Sequence, residues 1–273
     1  KVITTEIEKG MSDKLLASLT KRISKPGSLA DSLSFALEKI VQLSTINISE
    51  VWLISEDKNF LNLISKSCQT EKFNDFYPAS ITINNFEKGK GLPGYVWETE
   101  KNCIWKNLPN NPMFVRTQEA KLVNLNIALG VPIIYNKEFL GCLICYSMEE
   151  KLSDKLKLLT EVGLHIGAVV MQKKTEEHYR NFFEISPDPK CILGFDGYLK
   201  KINNSFENLL GYNYDELMNA PLNYFLHPAD KEVYQKKIST AIQEKASLSL
   251  EVRFLTKNSK IKWLIWNTTV LPE

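Results

Sequence analysis

A long helical pattern over residues 153–186 constrains the fold of this chain more than any other feature. Ser153 is a suitable N-cap, and Pro187 ends the pattern because proline cannot continue a helix. At about 1.5 Å per residue, such a helix would be roughly 50 Å long. Apolar residues recur at intervals of three and four along its first half, which is typical of one buried helix face: Leu156, Leu159, Val162, Ile166, Val169 and Val170.

The two halves of this pattern differ in polarity. Residues 173–180 contribute Tyr179 as their one large apolar side chain. We therefore expect the first half to lie against a domain and the second half to be a solvated connector. One interpretation is a rigid strut that joins two domains and pairs with its own copy in a parallel homodimer. The alternative is an ordinary helix at the end of one domain.

Composition and charge narrow the class of protein. A chain of 273 residues can form two domains of ordinary size. With 44% hydrophobic and 24% charged residues it is a typical globular sequence, and a net charge of +2 gives no indication of nucleic-acid binding. No apolar run approaches the roughly 20 residues of a membrane span. The five cysteines are odd in number and scattered, so we expect no disulfide framework and a cytoplasmic location.

The residues before the long helix predict an α+β domain over residues 28–174, preceded by an N-terminal helix within residues 1–27. Apolar spacing predicts the helices, and short β-branched and aromatic runs predict antiparallel strands. Asn136 and Lys137 separate two such runs, as in a tight hairpin. The predicted helices span residues 11–23, 28–43, 92–99 and 114–123, and the predicted strands span residues 51–54, 60–64, 103–105, 127–134 and 138–146.

A glycine-rich turn at residues 89–94 reads Gly-Lys-Gly-Leu-Pro-Gly, a spacing found in dinucleotide-binding loops. Such a loop follows a buried strand in a βαβ unit and needs an acidic residue about 20 positions later. Here a polar segment at 84–88 precedes the turn, and Trp-Lys-Asn at 105–107 follows it where the acidic residue would be needed. We therefore favour a turn that leads into a helix, with Pro93 in its first turn. A nucleotide-binding enzyme that uses this turn is a third hypothesis for the function.

Several motifs of the first domain resemble those of GAF sensor domains. They are the glycine turn continued through Trp97, then Trp105, Phe-Val-Arg-Thr-Gln-Glu-Ala at 114–120, Val-Pro-Ile at 131–133 and Leu-Gly-Cys-Leu-Ile-Cys-Tyr at 140–146. The resemblance is closest to GAF domains in the input regions of bacterial histidine kinases. It implies a cavity on one face of the sheet that holds a small ligand, a chromophore or no known ligand.

The resemblance also limits which ligands are expected. The Asn-Lys…Phe…Asp-Glu pattern of cyclic-nucleotide GAF domains is absent, and Val115 and Arg116 stand in the neighbourhood of the cysteine that bilin-binding domains carry. We predict no cofactor and leave an unknown small ligand open. We place four residues around the cavity: Trp97, Trp105, Phe114 and Arg116. The alternative is that the aromatic residues form a core and that Arg116 makes a surface ion pair.

Residues 187–273 predict a second α+β domain. Strands over 191–193 and 199–202 flank an Asp-Gly turn, helices are predicted over 203–210, 214–217 and 228–244, and a hairpin joins 247–255 to 261–271. The chain resembles a PAS domain through Phe-Asp-Gly at 195–197, Asn-Asn-Ser-Phe at 203–206, Leu-Gly-Tyr at 210–212, His-Pro-Ala-Asp at 227–230 and Ile-Lys-Trp-Leu-Ile-Trp at 261–266. Measured against the PAS pattern, we expect this domain to lack its last strand.

The PAS resemblance implies five further candidate ligand-binding residues: Phe206, Leu210, Tyr212, Phe225 and Trp263. No cysteine lies just before Pro228, where a light-sensing flavin PAS domain carries its reactive one. We interpret His227 as a helix-start residue rather than a haem ligand, and we predict no metal site.

No catalytic set is visible in the sequence, so we expect this chain not to be an enzyme. His165 and His178 lack the acidic neighbour of a phosphoacceptor histidine. The two resemblances imply a cytoplasmic sensing module of a two-component sensor histidine kinase, whose downstream kinase domains would receive the signal in a phosphorelay. The chain begins at Lys1 rather than Met, and we expect it to be part of such a longer protein. A dimerisation scaffold without a ligand is the alternative.

Overall fold

The computed structural model describes residues 17–18, 27–43, 45–78 and 83–270. The chain divides into two compact units, Lys1–Thr175 and Glu176–Glu273. The predicted helix within residues 1–27 lies outside the described residues apart from 17, 18 and 27, so it stays a prediction. The predicted α+β class is confirmed, because each unit combines antiparallel strands with helices.

A six-stranded antiparallel sheet forms the centre of the first unit. Its strands are β1 (Ile48–Ile54), β2 (Leu61–Cys68), β3 (Asn85–Phe86), β4 (Cys103–Lys106), β5 (Ile127–Tyr135) and β6 (Glu138–Ser147). They lie in the order β3-β2-β1-β6-β5-β4. Strands β1 and β6 are therefore central, and nearly all of their side chains are buried.

The β5–β6 hairpin forms where the sequence predicts it. Asn136 and Lys137 occupy its turn with φ of 48° and 67°, the conformation that a type I′ turn requires at both central positions. Tyr135 pairs with Glu138 directly across the turn. The tight turn therefore sets the register of the two longest strands of the sheet.

Helices cover both faces of this sheet. They are α1 (Leu29–Val41), α2 (Gly91–Thr99), α3 (Thr117–Leu122) and the long α4 (Leu156–Phe183). Helix α1 and the first half of α4 lie against one face. Helices α2 and α3 lie against the other, together with the 3-10 turn Glu71–Phe76. The unit thus has two apolar layers, one on each side of the sheet.

Helix α4 confirms the long helical pattern but begins later than Ser153. Residues Glu150–Lys155 form a tighter 3-10 turn instead, which places Leu152 in the core. The helix also ends at Phe183 rather than Ser186. Its polarity follows the prediction, because the residues on its apolar face are buried in the first half and residues 175–182 are exposed.

Helix α3 begins at Thr117, three residues after the predicted start at Phe114. Arg116 has φ of −111° and ψ of 45°, which lies outside the helical region. The amide of Phe114 bonds to the carbonyl of Asn111 in a separate turn. Phe114 and Arg116 therefore belong to the loop before the helix, and their side chains lie in the core.

The glycine turn leads into α2, as predicted. Gly91 has φ of 58°, and a Cβ atom on Gly94 would lie 2.2 Å from the carbonyl oxygen of Glu87. Strand β3 before the turn has two residues and pairs antiparallel with β2. The βαβ unit that a dinucleotide site requires is therefore not formed at this turn.

After α4, the described residues of the second unit form two separate hairpins and three short to medium helices. Its elements are β7 (Cys191–Leu193), β8 (Leu199–Ile202), α5 (Asn204–Leu210), α6 (Tyr214–Met218), α7 (Lys231–Glu244), β9 (Leu248–Leu255) and β10 (Ile261–Thr268). Strand β7 pairs with β8, and β9 pairs with β10. In the part of the chain that the structure describes, no ladder joins the two hairpins, and completion of the sheet by a further strand stays a prediction.

Two predicted elements of the second unit differ from the structure by three residues at one end. The helix predicted over 228–244 is a 3-10 turn, Pro228–Asp230, followed by α7 from Lys231. His227 caps this turn through its side chain, because its Nδ1 atom accepts the Ala229 amide at 3.3 Å. The strand predicted to reach residue 271 ends at Thr268.

Candidate functional site

The sheet face beneath α2 and α3 carries most of the aromatic side chains of the first unit. We call this the aromatic face. It includes Trp52, Phe76, Trp105, Phe114 and Tyr146, all buried. The opposite face is largely aliphatic. Cys142 belongs to the aromatic face and Cys145 to the aliphatic one, as expected for residues three apart on a strand.

Glu50 introduces a charge into this aromatic face. It lies on the central strand β1 between Ile48 and Trp52, which share its face because side chains alternate along a strand. The Glu50 side chain is fully buried. A buried carboxylate requires a counter-charge and hydrogen-bond donors, since an isolated charge loses its hydration.

Arg116 supplies the counter-charge from the loop before α3. Its two terminal nitrogens donate to the two oxygens of Glu50 at 2.8 and 3.0 Å, a bidentate ion pair. One of these nitrogens also donates to the Tyr146 hydroxyl at 2.8 Å. The guanidinium lies 4.2 Å from the ring centre of Phe76. The Arg116 Nε atom is buried and has no hydrogen-bond acceptor among the residues that the structure describes.

Three neutral groups complete the surroundings of Glu50. The Tyr77 hydroxyl donates to Oε1 at 2.7 Å, and the Trp52 indole and Tyr146 hydroxyl donate to Oε2 at 2.9 and 3.0 Å. Glu50 therefore accepts five hydrogen bonds, and the group as a whole carries one positive and one negative charge. The arrangement holds the 3-10 turn, α3, β1 and β6 together through one side chain.

The electrostatics of the pair favour its charged form. Burial would raise the pKa of Glu50, but the charge of Arg116 and the hydrogen bonds from Arg116, Tyr77 and Trp52 outweigh it, so this pKa lies below the ordinary value of a glutamate. Burial would lower the pKa of Arg116, yet Glu50 raises it overall. Burial is also the main reason that the pKa of each of Tyr77 and Tyr146 is raised. Both tyrosines thus stay neutral donors at physiological pH.

The four predicted cavity residues all lie in this region. Trp105 and Phe114 meet edge to face with ring centres 6.5 Å apart, and Trp97 stacks on Phe139 at 6.3 Å. Arg116 is 4% exposed, so its ion pair lies in the interior and the surface alternative is wrong. Sequence analysis missed its partner, Glu50. The available signal was a single acidic residue immediately before the apolar run at 51–54.

The second unit brings together four of its five candidate residues. Phe206, Leu210 and Phe225 are each 1% exposed and belong to one core cluster, against which Tyr212 packs. The Tyr212 and Phe225 rings meet edge to face at 4.9 Å. These contacts describe a packed interior.

Trp263 does not join that cluster. It is 62% exposed, and the Arg253 guanidinium lies 5.1 Å from its ring. Side chains alternate along β10, so Leu264 and Trp266 face the cluster instead. Trp266 contacts Phe254 at 5.5 Å between ring centres. The alternation is visible in the sequence, but it does not show which of the two sets faces inward.

Neither a metal-binding cluster nor a membrane-spanning helix occurs among the described residues. Residues 17–18, 27–43, 45–78 and 83–270 contain no group of three or more His, Cys, Asp or Glu side chains placed to hold a metal ion. Within the same ranges, no helix has the length and apolar character that crossing a bilayer demands.

Comparisons with known proteins agree with this architecture. A model of the GAF domain family matches residues 27–171, just over half of the chain. A model of the PAS fold matches residues 200–273. Among curated proteins, none matched the chain.

Solved GAF domains have the same fold as the first unit. The GAF domain of a phosphoenolpyruvate-protein phosphotransferase from Coxiella burnetii is 17% identical with a TM-score of 0.50, covering 61% of this chain and 96% of its own. The GAF domain of A. aeolicus nlh2 gives 17% identity and a TM-score of 0.49, covering 60% of this chain and 98% of its own.

A phycoerythrobilin-bound GAF domain from a cyanobacterial phytochrome is also similar. It is 14% identical with a TM-score of 0.48 and covers 61% of this chain and 98% of its own. At these identities the likeness concerns the fold. Because the family model covers more than half of the chain, we conclude that the chain belongs to the GAF domain family and carries a PAS fold after its GAF domain.

Proposed function

We propose that this chain is the input part of a cytoplasmic sensor histidine kinase of a two-component system. GAF and PAS domains are sensory domains, and here they follow one another in one chain. The observation that carries the proposal is α4, which starts on the GAF sheet and continues without a break into the second unit. A change on the aromatic face would pass along this helix and bias the kinase domains of the parent protein.

The aromatic face is the proposed sensing surface. The charged pair and the cluster of buried rings would bind an unknown small ligand after a local rearrangement, with Arg116 and Glu50 as the polar contacts. A small change at this pair would shift the two central strands, because Glu50 lies on β1 and Tyr146 lies on the neighbouring strand β6. Both strands bury their opposite-facing side chains in the aliphatic layer that α4 contacts.

A scaffold without a ligand is the second candidate, and one observation favours it. The terminal nitrogens of Arg116 are already used by Glu50 and Tyr146. The neighbouring rings contact one another at centre distances between 5.1 and 6.5 Å. In this reading the pair stabilises the domain, and the function lies in dimerisation.

Native mass spectrometry of the purified chain separates the two candidates. A small molecule that leaves the protein on denaturation would support the sensor. Release of a molecule from the native chain, but not from an Arg116→Met variant that is still folded, would place it on the aromatic face. Protein masses without any additional species, in samples prepared from several growth conditions, would favour the scaffold.

Both candidates include a homodimer through α4. Leu164 on α4 is 55% exposed although it is apolar, and it points away from the buried positions Val162 and Ile166. Leu164→Asp should convert a dimer to a monomer in light scattering while the variant remains folded by circular dichroism, and its urea midpoint should fall only by the stabilisation that association supplies. If the substitution leaves the dimer intact, α4 does not form the interface. The kinase context is tested by the sequence of the parent protein after residue 273, which should contain a phosphoacceptor histidine and an ATP-binding domain.

A further inference from the structure

The C-terminal end of α4 is held by the second unit. A helix leaves its last carbonyl groups without partners inside the helix, so these groups must bond elsewhere. The carbonyl of Arg180 accepts the amides of Glu184 and Ile185 at 2.8 and 3.0 Å. The carbonyl of Phe183, the last residue of α4, accepts the side-chain amide of Asn203 at 2.9 Å. A side chain 20 positions later therefore closes the helix.

Asn203 makes every hydrogen bond that its side chain can make. It is fully buried, although asparagine is usually exposed. Its Nδ2 atom donates to the carbonyl oxygens of Phe183 and Asp188, both at 2.9 Å, and of Ser186 at 3.3 Å. Its Oδ1 atom accepts the amide of Lys190 at 2.9 Å.

The same Oδ1 atom is the N-cap of α5. It accepts the amide of Phe206 at 3.2 Å, and Phe206 is itself buried in the core of the second unit. One oxygen thus starts α5, while the nitrogen of the same amide group ends α4. Because both atoms belong to one planar group, a displacement of the end of α4 changes the bond that caps α5.

Two neighbouring side chains support this junction. Lys201 on β8 lies 4.5 Å from the Tyr179 ring centre and 3.3 Å from a Glu184 carboxylate oxygen. The Tyr179 and Phe183 rings stack with centres 5.6 Å apart. The Ser205 hydroxyl on α5 donates to the Ser186 carbonyl at 2.6 Å. The last turns of α4 therefore contact both β8 and α5.

We propose that Asn203 is a positioning residue that couples the end of the connector helix to α5, so that the two move together. The coupling is a property of the second unit and needs no ligand. Its use in signal transmission rests on the proposed sensing function. A ligand-free scaffold would keep the same junction as a fixed support. An experiment can therefore refute the proposed junction without refuting the sensing function, and the reverse.

Asn203→Asp and Asn203→Ser test the junction in the whole chain. Each variant keeps an oxygen that can cap α5, because Asp and Ser are both good N-cap residues. Each removes the nitrogen that donates to Phe183 and Asp188, and Asp also places a negative charge beside their carbonyl groups. Hydrogen exchange with mass spectrometry reports on the two helices separately.

Amides over residues 180–186 should exchange about ten- to thirtyfold faster in both variants, since the carbonyl groups of Phe183 and Ser186 each lose a hydrogen bond there. Amides of α5 and of β9 should keep at least most of their protection. Asn213→Asp is the matched control, because Asn213 caps α6 through the same atom, and the Glu216 amide donates to it at 2.8 Å. This control should leave residues 180–186 unchanged.

Two outcomes would overturn the proposal. Unchanged exchange over residues 180–186 in both Asn203 variants would show that other contacts hold the end of α4. Uniform loss of protection throughout the second unit in both variants would show that Asn203 is a general folding residue and not a local junction. Neither outcome depends on a ligand or a kinase, so neither bears on the proposed function.

Discussion

Replacing Arg116 by Met removes the positive charge that pairs with Glu50 and retains a long apolar side chain between the rings. Glu50 then stays fully buried on β1 and keeps its bonds to Tyr77, Trp52 and Tyr146. We expect the first unit to be strongly destabilised, because a buried carboxylate without a counter-charge is more costly than an absent ion pair.

The size of the effect follows from the contacts that are lost. Arg116 donates two charge-assisted hydrogen bonds to Glu50 and one to Tyr146. Breaking a buried pair by removing one partner costs about 3–5 kcal/mol. The three neutral donors that remain on Glu50 limit the loss, and we expect about 4 kcal/mol at pH 7. Glu50→Gln together with Arg116→Met removes both charges, so most of the stability should return.

The loss in free energy of unfolding caused by Arg116→Met should also depend on pH. In the wild-type chain the Glu50 pKa lies below the ordinary value of a glutamate, so its contribution is present above about pH 4.5 and is lost as the pH falls through the folded-state pKa. In the variant, burial acts without the opposing cation and raises this pKa. The cost of burying the ionised Glu50 in the variant therefore grows as the pH rises from about 4.5. Acidification toward pH 5 should reduce the difference in free energy of unfolding between the variant and the wild type.

Urea unfolding at pH 5 and pH 7, followed by tryptophan fluorescence, measures both effects. With an m-value of about 2 kcal/mol/M, the midpoint of the first unit should fall by about 2 M at pH 7. Lys106→Met is the matched control, since it breaks an exposed ion pair with Glu150 and should change stability by less than about 0.5 kcal/mol. A loss below about 1 kcal/mol for Arg116→Met, or a deficit that does not change with pH, would refute this reasoning.

Three further substitutions test other parts of the fold. Ile166→Asp should destabilise the first unit by at least about 3 kcal/mol in urea unfolding, because Ile166 is 1% exposed in the aliphatic layer and a charge there loses its water. Gly94→Ala should lower the same midpoint, since its Cβ would lie 2.2 Å from a backbone oxygen; an unchanged midpoint would show that the turn relaxes freely. Asp230→Asn should destabilise the second unit at pH 7. Hydrogen bonds from Arg253 lower the pKa of Asp230 to about 2, so the wild-type advantage should disappear as the pH falls from about 4 toward 2.

Residues whose partners are close in sequence could be predicted well. The β5–β6 hairpin follows from two turn residues between two apolar runs, and the buried half of α4 follows from apolar spacing. Each of these predictions needs knowledge of one segment and not of its neighbours.

The ends of helices were harder to predict because the pattern does not decide them. Ser153 is a good N-cap by residue type, yet the 3-10 turn before α4 buries Leu152 and delays the helix to Leu156. Residues 114–116 fit a helical pattern, yet Arg116 adopts a non-helical backbone that brings its side chain to Glu50. In both cases a contact with the core overrides local propensity.

The polar centre of the candidate site could not be predicted from local pattern. Glu50 and Arg116 are 66 positions apart, and Asn203 closes a helix that ends 20 positions earlier. Each of these residues is polar and buried. Polar side chains are usually exposed unless a hydrogen-bond partner accompanies them, and the local sequence does not identify that partner. Fold resemblance identified Arg116 as a candidate but gave no indication of Glu50.

The buried ion pair between Arg116 and Glu50 stabilises a scaffold, but in a sensor it competes with the binding of a ligand. A ligand that takes over both bonds between the terminal nitrogens of Arg116 and Glu50 displaces the carboxylate from its counter-charge. The displaced carboxylate would keep three neutral donors but lose its counter-charge, and a cost of about 3–5 kcal/mol would be subtracted from the affinity of the ligand. A ligand that also carries a cation for Glu50 avoids this cost, because each buried charge is then paired again. The loss in free energy of unfolding caused by Arg116→Met therefore measures the cost that a ligand must offset. The larger this loss is, the more completely a ligand must supply a partner for both Arg116 and Glu50.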